Sequence, residues 1–212
     1  NVADHDLRSV VNDIQKRIDT SVQLPEGYHI EYGGQFESEQ AASRTLALTS
    51  FISIVVIFLL LYNEFRSVKE SGVILLNLPL ALIGGVFALV ITTGEVSIPA
   101  IIGFISLFGI ATRNGMLLIS HYNHLQKEEG LNVYDSVLRG SLDRLNPILM
   151  TALSSALALI PLALAGDLRG NEIQSPMAKV ILGGLLTSTF LNGFIVPIVY
   201  LMMHRKKAQK SL

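Results

Sequence analysis

The chain of 212 residues contains no cysteine. That absence excludes a disulfide framework and thiolate metal sites within it, and it leaves the redox compartment open. Charge is scarce as well: sixteen Lys and Arg stand against seventeen Asp and Glu, and charged residues make up 16% of the total. So balanced a chain carries no electrostatic footprint for nucleic acid. There is no initiator Met and no signal peptide ahead of Asn1, and the first forty residues read as ordinary soluble structure, so a fragment of a longer protein is expected. What is abundant is apolar surface. Half of the residues are apolar, the composition of a membrane protein.

Residues 1–40 are polar but patterned. Leu7, Val10, Val11, Ile14 and Ile18 have the spacing of an amphipathic helix. Pro25-Glu-Gly27 marks a turn, and the alternation in Tyr28-His-Ile-Glu-Tyr32 predicts a half-buried strand ended by Gly33-Gly34. A helix and a strand cannot build a core alone, so this piece is expected to close a larger α+β domain. Apolar segments follow at about 45–62, 72–93, 98–121, 145–166 and 177–203, each long enough to cross a ~30 Å hydrocarbon core. The expected fold class is therefore an all-α polytopic membrane protein of five transmembrane helices with a small α/β remnant. Residues 41–203 form the membrane part, with an amphipathic interfacial helix near 128–141 between the third and fourth spans. Helix starts are expected at Ser97 before Pro99, at Asn146-Pro147 and at Ser175-Pro176. Pro79, Pro161 and Pro197 are expected to kink or break their helices. Ala81/Gly85, Gly84/Ala88 and Ala152/Ala156, small residues four apart, are expected at close helix crossings.

The loops set an orientation. Arg66 and Lys69 lie in the first loop, Lys127, Arg139 and Arg144 in the third, and four Lys or Arg in the tail at 204–212; the alternate loops carry none or only Arg169. The positive-inside rule places the basic loops and the C-terminal tail in the cytoplasm and the N-terminal piece in the periplasm. The run His204-Arg-Lys-Lys-Ala-Gln-Lys210 reads as a natural C-terminus.

Arg113 is the most informative residue. It lies about fourteen residues, or ~21 Å, below Pro99, in the inner part of an apolar helix. A guanidinium there either snorkels to the headgroups or faces a bundle interior, where such residues serve ion or proton movement. Ser106, Arg113 and Ser120 are seven apart on one face, and Arg144, Thr151 and Ser155 line up on the next helix. Hydroxyls can relay protons or hold water, and a cation sets the protonation of a nearby acid. The plainer alternative is that each hydroxyl bonds its own helix, and Ser106 and Ser155 are read that way. All seventeen acidic residues lie outside the apolar segments. An unpaired buried cation is costly, so transmembrane carboxylates are expected from a missing N-terminal half.

In order along the chain, Gly33-Gly-Gln-Phe-Glu37, Asn77-Leu-Pro-Leu-Ala-Leu-Ile-Gly-Gly85, Gly109-Ile-Ala-Thr-Arg-Asn-Gly115, Arg144-Leu-Asn-Pro-Ile-Leu-Met-Thr-Ala152 and Gly183-Gly184 with Val196-Pro-Ile-Val-Tyr200 resemble the C-terminal part of a resistance–nodulation–division (RND) efflux permease. The lead-in Leu24–Glu37 and the stretch Gly170–Ala178 resemble its heavy-metal, cobalt–zinc–cadmium branch more than its multidrug branch. The resemblance implies the last five of twelve transmembrane helices, preceded by the end of a periplasmic porter domain, in a proton-driven exporter of the bacterial inner membrane. It implies a homotrimer working with a periplasmic adaptor and an outer-membrane channel, exporting heavy-metal cations from periplasm or cytoplasm. It also implies that Arg113, Asn114, Arg144 and Thr151 surround the absent carboxylate. Multidrug members carry lysine where Arg113 stands. Arginine keeps its charge at every accessible pH, so it can bias an acid but cannot itself carry the proton. The alternatives are a multidrug exporter of organic compounds and a non-transporting membrane scaffold.

No catalytic residue, cofactor or resident metal site is assigned. His121 and His124 lack a third ligand nearby and are read as interfacial. The five methionines are scattered gap fillers. Lys179 is expected to snorkel at the outer end of the last span, while Asp167 and Glu172 are read as solvated loop acids.

Overall fold

The structure is a computed structural model and describes residues 7–22, 25, 27, 30, 35–92, 96–166, 171 and 173–204. The expected strand at 28–32 lies outside them except for Ile30, which has no regular structure. Gly33-Gly34, Asp167, Arg169, Glu172 and the tail beyond His204 also lie outside. Among the described residues every regular element is helical: α1 Leu7–Ser21, α2 Gln35–Phe65, α3 Val68–Leu75, α4 Asn77–Thr92, α5 Ile98–Lys127, α6 Val133–Leu164 and α7 Gln174–Met203. The chain divides into two units, Asn1–Thr49 and Ser50–Leu212. In the first, α1 covers the expected amphipathic stretch and the beginning of α2 follows.

Five stretches are long and apolar enough to cross a membrane: Ala41–Phe65, Val68–Thr92, Ile98–Lys127, Val133–Leu164 and Gln174–Met203. Proline explains most departures from the expected boundaries. The second stretch is two helices, interrupted at Leu76, because Pro79 has no N–H to offer the carbonyl of Leu75. The interfacial helix expected near 128–141 and the fourth span are a single helix, α6, with Pro147 and Pro161 inside it. Asn146-Pro147 is thus not a helix start. The start lies at Asn132, whose Oδ1 accepts the Asp135 N–H at 2.8 Å and whose amide donates to the Asp135 carboxylate at 2.7 Å. With that cap upstream, one lost backbone hydrogen bond at Pro147 does not end the helix. Ser97 caps α5 as expected, accepting the Ala100 N–H at 3.4 Å with Pro99 in the first turn. α7 starts at Gln174, one residue before Ser175, without a side-chain cap.

In the second unit α7 packs on α4, α5 and α6. The α4–α7 crossing is made of glycine: a Cβ on Gly84 would meet Thr187 Oγ1 at 1.7 Å, and one on Gly183 would meet the Gly84 carbonyl oxygen at 2.5 Å. A Cβ on Gly184 would strike Leu107 of α5. Small residues let backbones approach where lipid removes the hydrophobic drive for association. The turn after α2 passes through Arg66 at φ 52°, and that after α5 through Gly130 at φ 67°.

Candidate functional site

Arg113 lies on α5 and is exposed in this chain, while Thr112, Asn114 and Gly115 beside it are buried. The 3.6-residue helical period turns Gly115 toward Asn77 of α4 and leaves Arg113, with Thr112, on the flank that meets α2. There it lines a cavity of about 440 Å³ whose α2 wall grades from Ile57 and Leu60 to Asn63 and Glu64. Thr112 Oγ1 donates to the Phe108 carbonyl at 2.6 Å and is spent on its own helix. Glu64 shares Arg113's cavity, a juxtaposition the sequence reading missed. The signal was present, since Glu64 lies only two residues beyond the expected end of the first span. Among the described residues Arg113 makes no ion pair.

α5 and α6 run antiparallel, registered by a Tyr122 Oη–Ser141 Oγ bond of 2.5 Å and by His121 Nε2 at 3.2 Å from Asp143 Oδ2. Continued along both helices, that register sets Thr151 near the level of Arg113 and Arg144 near that of Ser120. The levels agree, but no bond joins Arg113 to Thr151 or Arg144 among the described residues. Arg144 is half-buried and Thr151 is exposed. The Thr151 hydroxyl donates to the Pro147 carbonyl, and Ser106 donates to Ile102 at 3.0 Å. For Ser106 this is the own-helix bond expected. For Thr151 it leaves only the oxygen lone pairs for an outside partner.

A second polar assembly, also missed, joins α3, α5 and α7. Asn123 Nδ2 donates to Glu70 Oε2 at 2.9 Å, Tyr200 Oη donates to Asn123 Oδ1 at 2.8 Å, and Gln126 Nε2 donates to Tyr200 Oη at 3.1 Å. These groups, with Lys127 and His204, line a polar cavity of about 410 Å³. The Tyr122 and Tyr200 rings pack at 5.2 Å beneath it. His121 and His124 stack at 6.4 Å, and no cluster of three metal-ligating residues occurs among the described residues. Lys179 is half-buried, its ammonium 3.3 Å from where a Cβ on Gly166 would lie, near the end of α6, whose unpaired carbonyls favour a cation.

Five helices long and apolar enough to cross a membrane, with an arginine inside the third, are the pattern of a polytopic membrane protein. The chain belongs to the AcrB/AcrD/AcrF family, whose sequence profile matches residues 1–204. It is 44% identical over 213 aligned positions to Protein HelA of Legionella pneumophila, covering 100% of this chain and 20% of that protein. It is 42% identical over 212 positions to the nickel-cobalt-cadmium resistance protein NccA of Alcaligenes xylosoxydans xylosoxydans, again across 100% of the chain and 19% of the relative. A crystal structure of a heavy metal efflux pump superposes with a TM-score of 0.82 at 36% identity, over 97% of this chain and 20% of that one. The chain thus spans about a fifth of the length of the relatives it matches.

Proposed function

We propose that these residues form the C-terminal transmembrane part of a proton-driven RND permease of the bacterial inner membrane that exports heavy-metal cations. The metal substrate rests on the likeness to the relatives named above; the substrate-binding groups lie elsewhere in such a protein. In this reading the N-terminal piece ends a periplasmic porter domain, the basic loops and the tail face the cytoplasm, and the homotrimer works with a periplasmic adaptor and an outer-membrane channel.

The observation that carries the coupling role is Arg113 itself, lodged mid-helix on an open flank with no ion-pair partner among the described residues. A carboxylate from outside residues 1–212 docks there when ionised, with Thr151 near its level on α6; Arg144, near the level of Ser120, and Asn114, buried within the bundle, stand farther off. Protonation removes the charge that Arg113 holds, the pairing relaxes, and the flank rearranges relative to the rest of the bundle. Arg113 keeps its own proton throughout. Replacing Arg113 by Leu, or Thr151 by Val, in the full-length protein is expected to abolish metal resistance of the host cell while trimers persist. Normal resistance with both replacements would refute the role, and tolerance of Arg113→Leu would favour the scaffold alternative.

One observation supports a second reading. Glu64 faces the same cavity, so the countercharge of Arg113 can also come from within this chain. Glu64→Gln then disables export as fully as Arg113→Leu does; under the first reading it leaves export intact.

A further inference from the structure

One residue around the helix from Arg113, a different polar level is buried. α5 and α7 run parallel with a constant offset: Gly103 lies against Val180, Leu107 against Gly184 and Asn123 against Tyr200, each pair 77 residues apart. The same offset sets Asn192 beside Gly115. α4 reaches this level too. It crosses α7 antiparallel, Gly84 on Gly183 and Ala81 on Gly184, which brings Asn77 opposite Ser188. The Gly115 contacts agree, because a Cβ there would stand 2.5 Å from Asn77 Nδ2.

These side chains are sealed and unsatisfied. Asn192 is 0% exposed, Ser188 1% and Asn77 2%. Both amide atoms of Asn192, the Asn77 Nδ2 and the Ser188 Oγ have no hydrogen-bond partner among the described residues. Buried amides without protein partners are rare and are ordinarily satisfied by ordered water. The group offers donors and acceptors together but no carboxylate, so it suits a neutral ligand and not a bare cation.

We propose that Asn77, Ser188 and Asn192 form an internal water-binding site across α4, α5 and α7, where the missing side chain at Gly115 makes room for the Asn77 amide. One apolar layer closes it: Ile74, Ile119 and Val196, which belong to a single buried cluster. Beyond that layer lies the open polar cavity of Glu70, Asn123 and Tyr200. The bundle thus holds water on both sides of a one-residue-thick seal, independently of the coupling role given to Arg113.

X-ray hydroxyl-radical footprinting of the full-length protein tests this, because radicals made from bound water oxidise adjacent side chains that bulk solvent does not reach. Ile74, Ile119 and Leu107 are all 0% exposed. Ile74 and Ile119 are expected to be oxidised several-fold faster than Leu107, and Asn192→Leu is expected to bring them down to the Leu107 rate. Equal rates in the unsubstituted protein, or rates that Asn192→Leu leaves unchanged, would overturn the site. A structure of the unsubstituted full-length protein at water-resolving resolution decides the matter without any variant. Water density touching the Asn192 amide supports the proposal, and a dry site or a direct Asn77–Asn192 amide bond overturns it.

Discussion

Where α4 meets α7 the contact residues are Gly84, Ala88, Gly183 and Gly184, and the backbones nearly touch. Along α6 the large side chains Leu142, Leu149, Met150, Leu153, Leu157 and Leu164 point outward and are more than two-fifths exposed. In the most apolar window of α6 only 6% of residues are buried, against 44% for α5. Mean hydropathy does not separate these regions, since both helices read as spans. Side-chain size does. Small residues mark the seam where helices are locked together, and large ones mark the surface that meets lipid or other helices of a longer protein. Arg113 sits on the border, one position from the locked face.

The comparison breaks most easily at the seam. Gly84→Val places a branched side chain where a single Cβ already falls 1.7 Å from Thr187 Oγ1. A loss of about 3 kcal/mol or more is expected from such overpacking, seen as a lower unfolding temperature in detergent; an unchanged temperature would mean that α4 and α7 are not locked there. At the polar end of the seam, Tyr200→Phe removes the hydroxyl between Asn123 and Gln126. That change is expected to cost about 1–2 kcal/mol by leaving half-buried amides short of a partner. Arg66→Gly acts in the other direction. It relieves the left-handed φ of 52° after α2 and is expected to stabilise by about 1 kcal/mol. The smallest effect is expected on the outer face, where Leu157→Ala should shift stability by no more than ~0.5 kcal/mol if lipid alone covers it. A shift of several times that in the full-length protein would show another helix packed on α6.

The same contrast explains what was legible in the sequence. Segment length and apolarity gave the spans, and the small-residue pair Gly84/Ala88 gave a position of close approach, because both depend on local composition. Asn146-Pro147 misled: proline suits a first turn and an interior alike, and only the Asn132–Asp135 cap decides between them. The interior break at Pro79 was legible, though not its exact place at Leu76. Within the candidate site, Arg113 stood out by its charge in an apolar run. Glu64 and the Asn77–Asn192 level did not, because their meaning comes from which helix lies opposite, and periodicity along one helix cannot supply that. The α7 stripe Ser188, Asn192, Val196, Tyr200, spaced by four, was nonetheless there to be read.

The central claim concerns what neutralises Arg113, and the most direct measurement is the surroundings of its guanidinium in a structure of the full-length protein. A carboxylate contributed from outside residues 1–212 should stand within roughly 4–6 Å of it, close enough to govern that acid's protonation. An Arg113 paired with Glu64, or extended to the headgroups with no carboxylate at its depth, would contradict the proposed coupling.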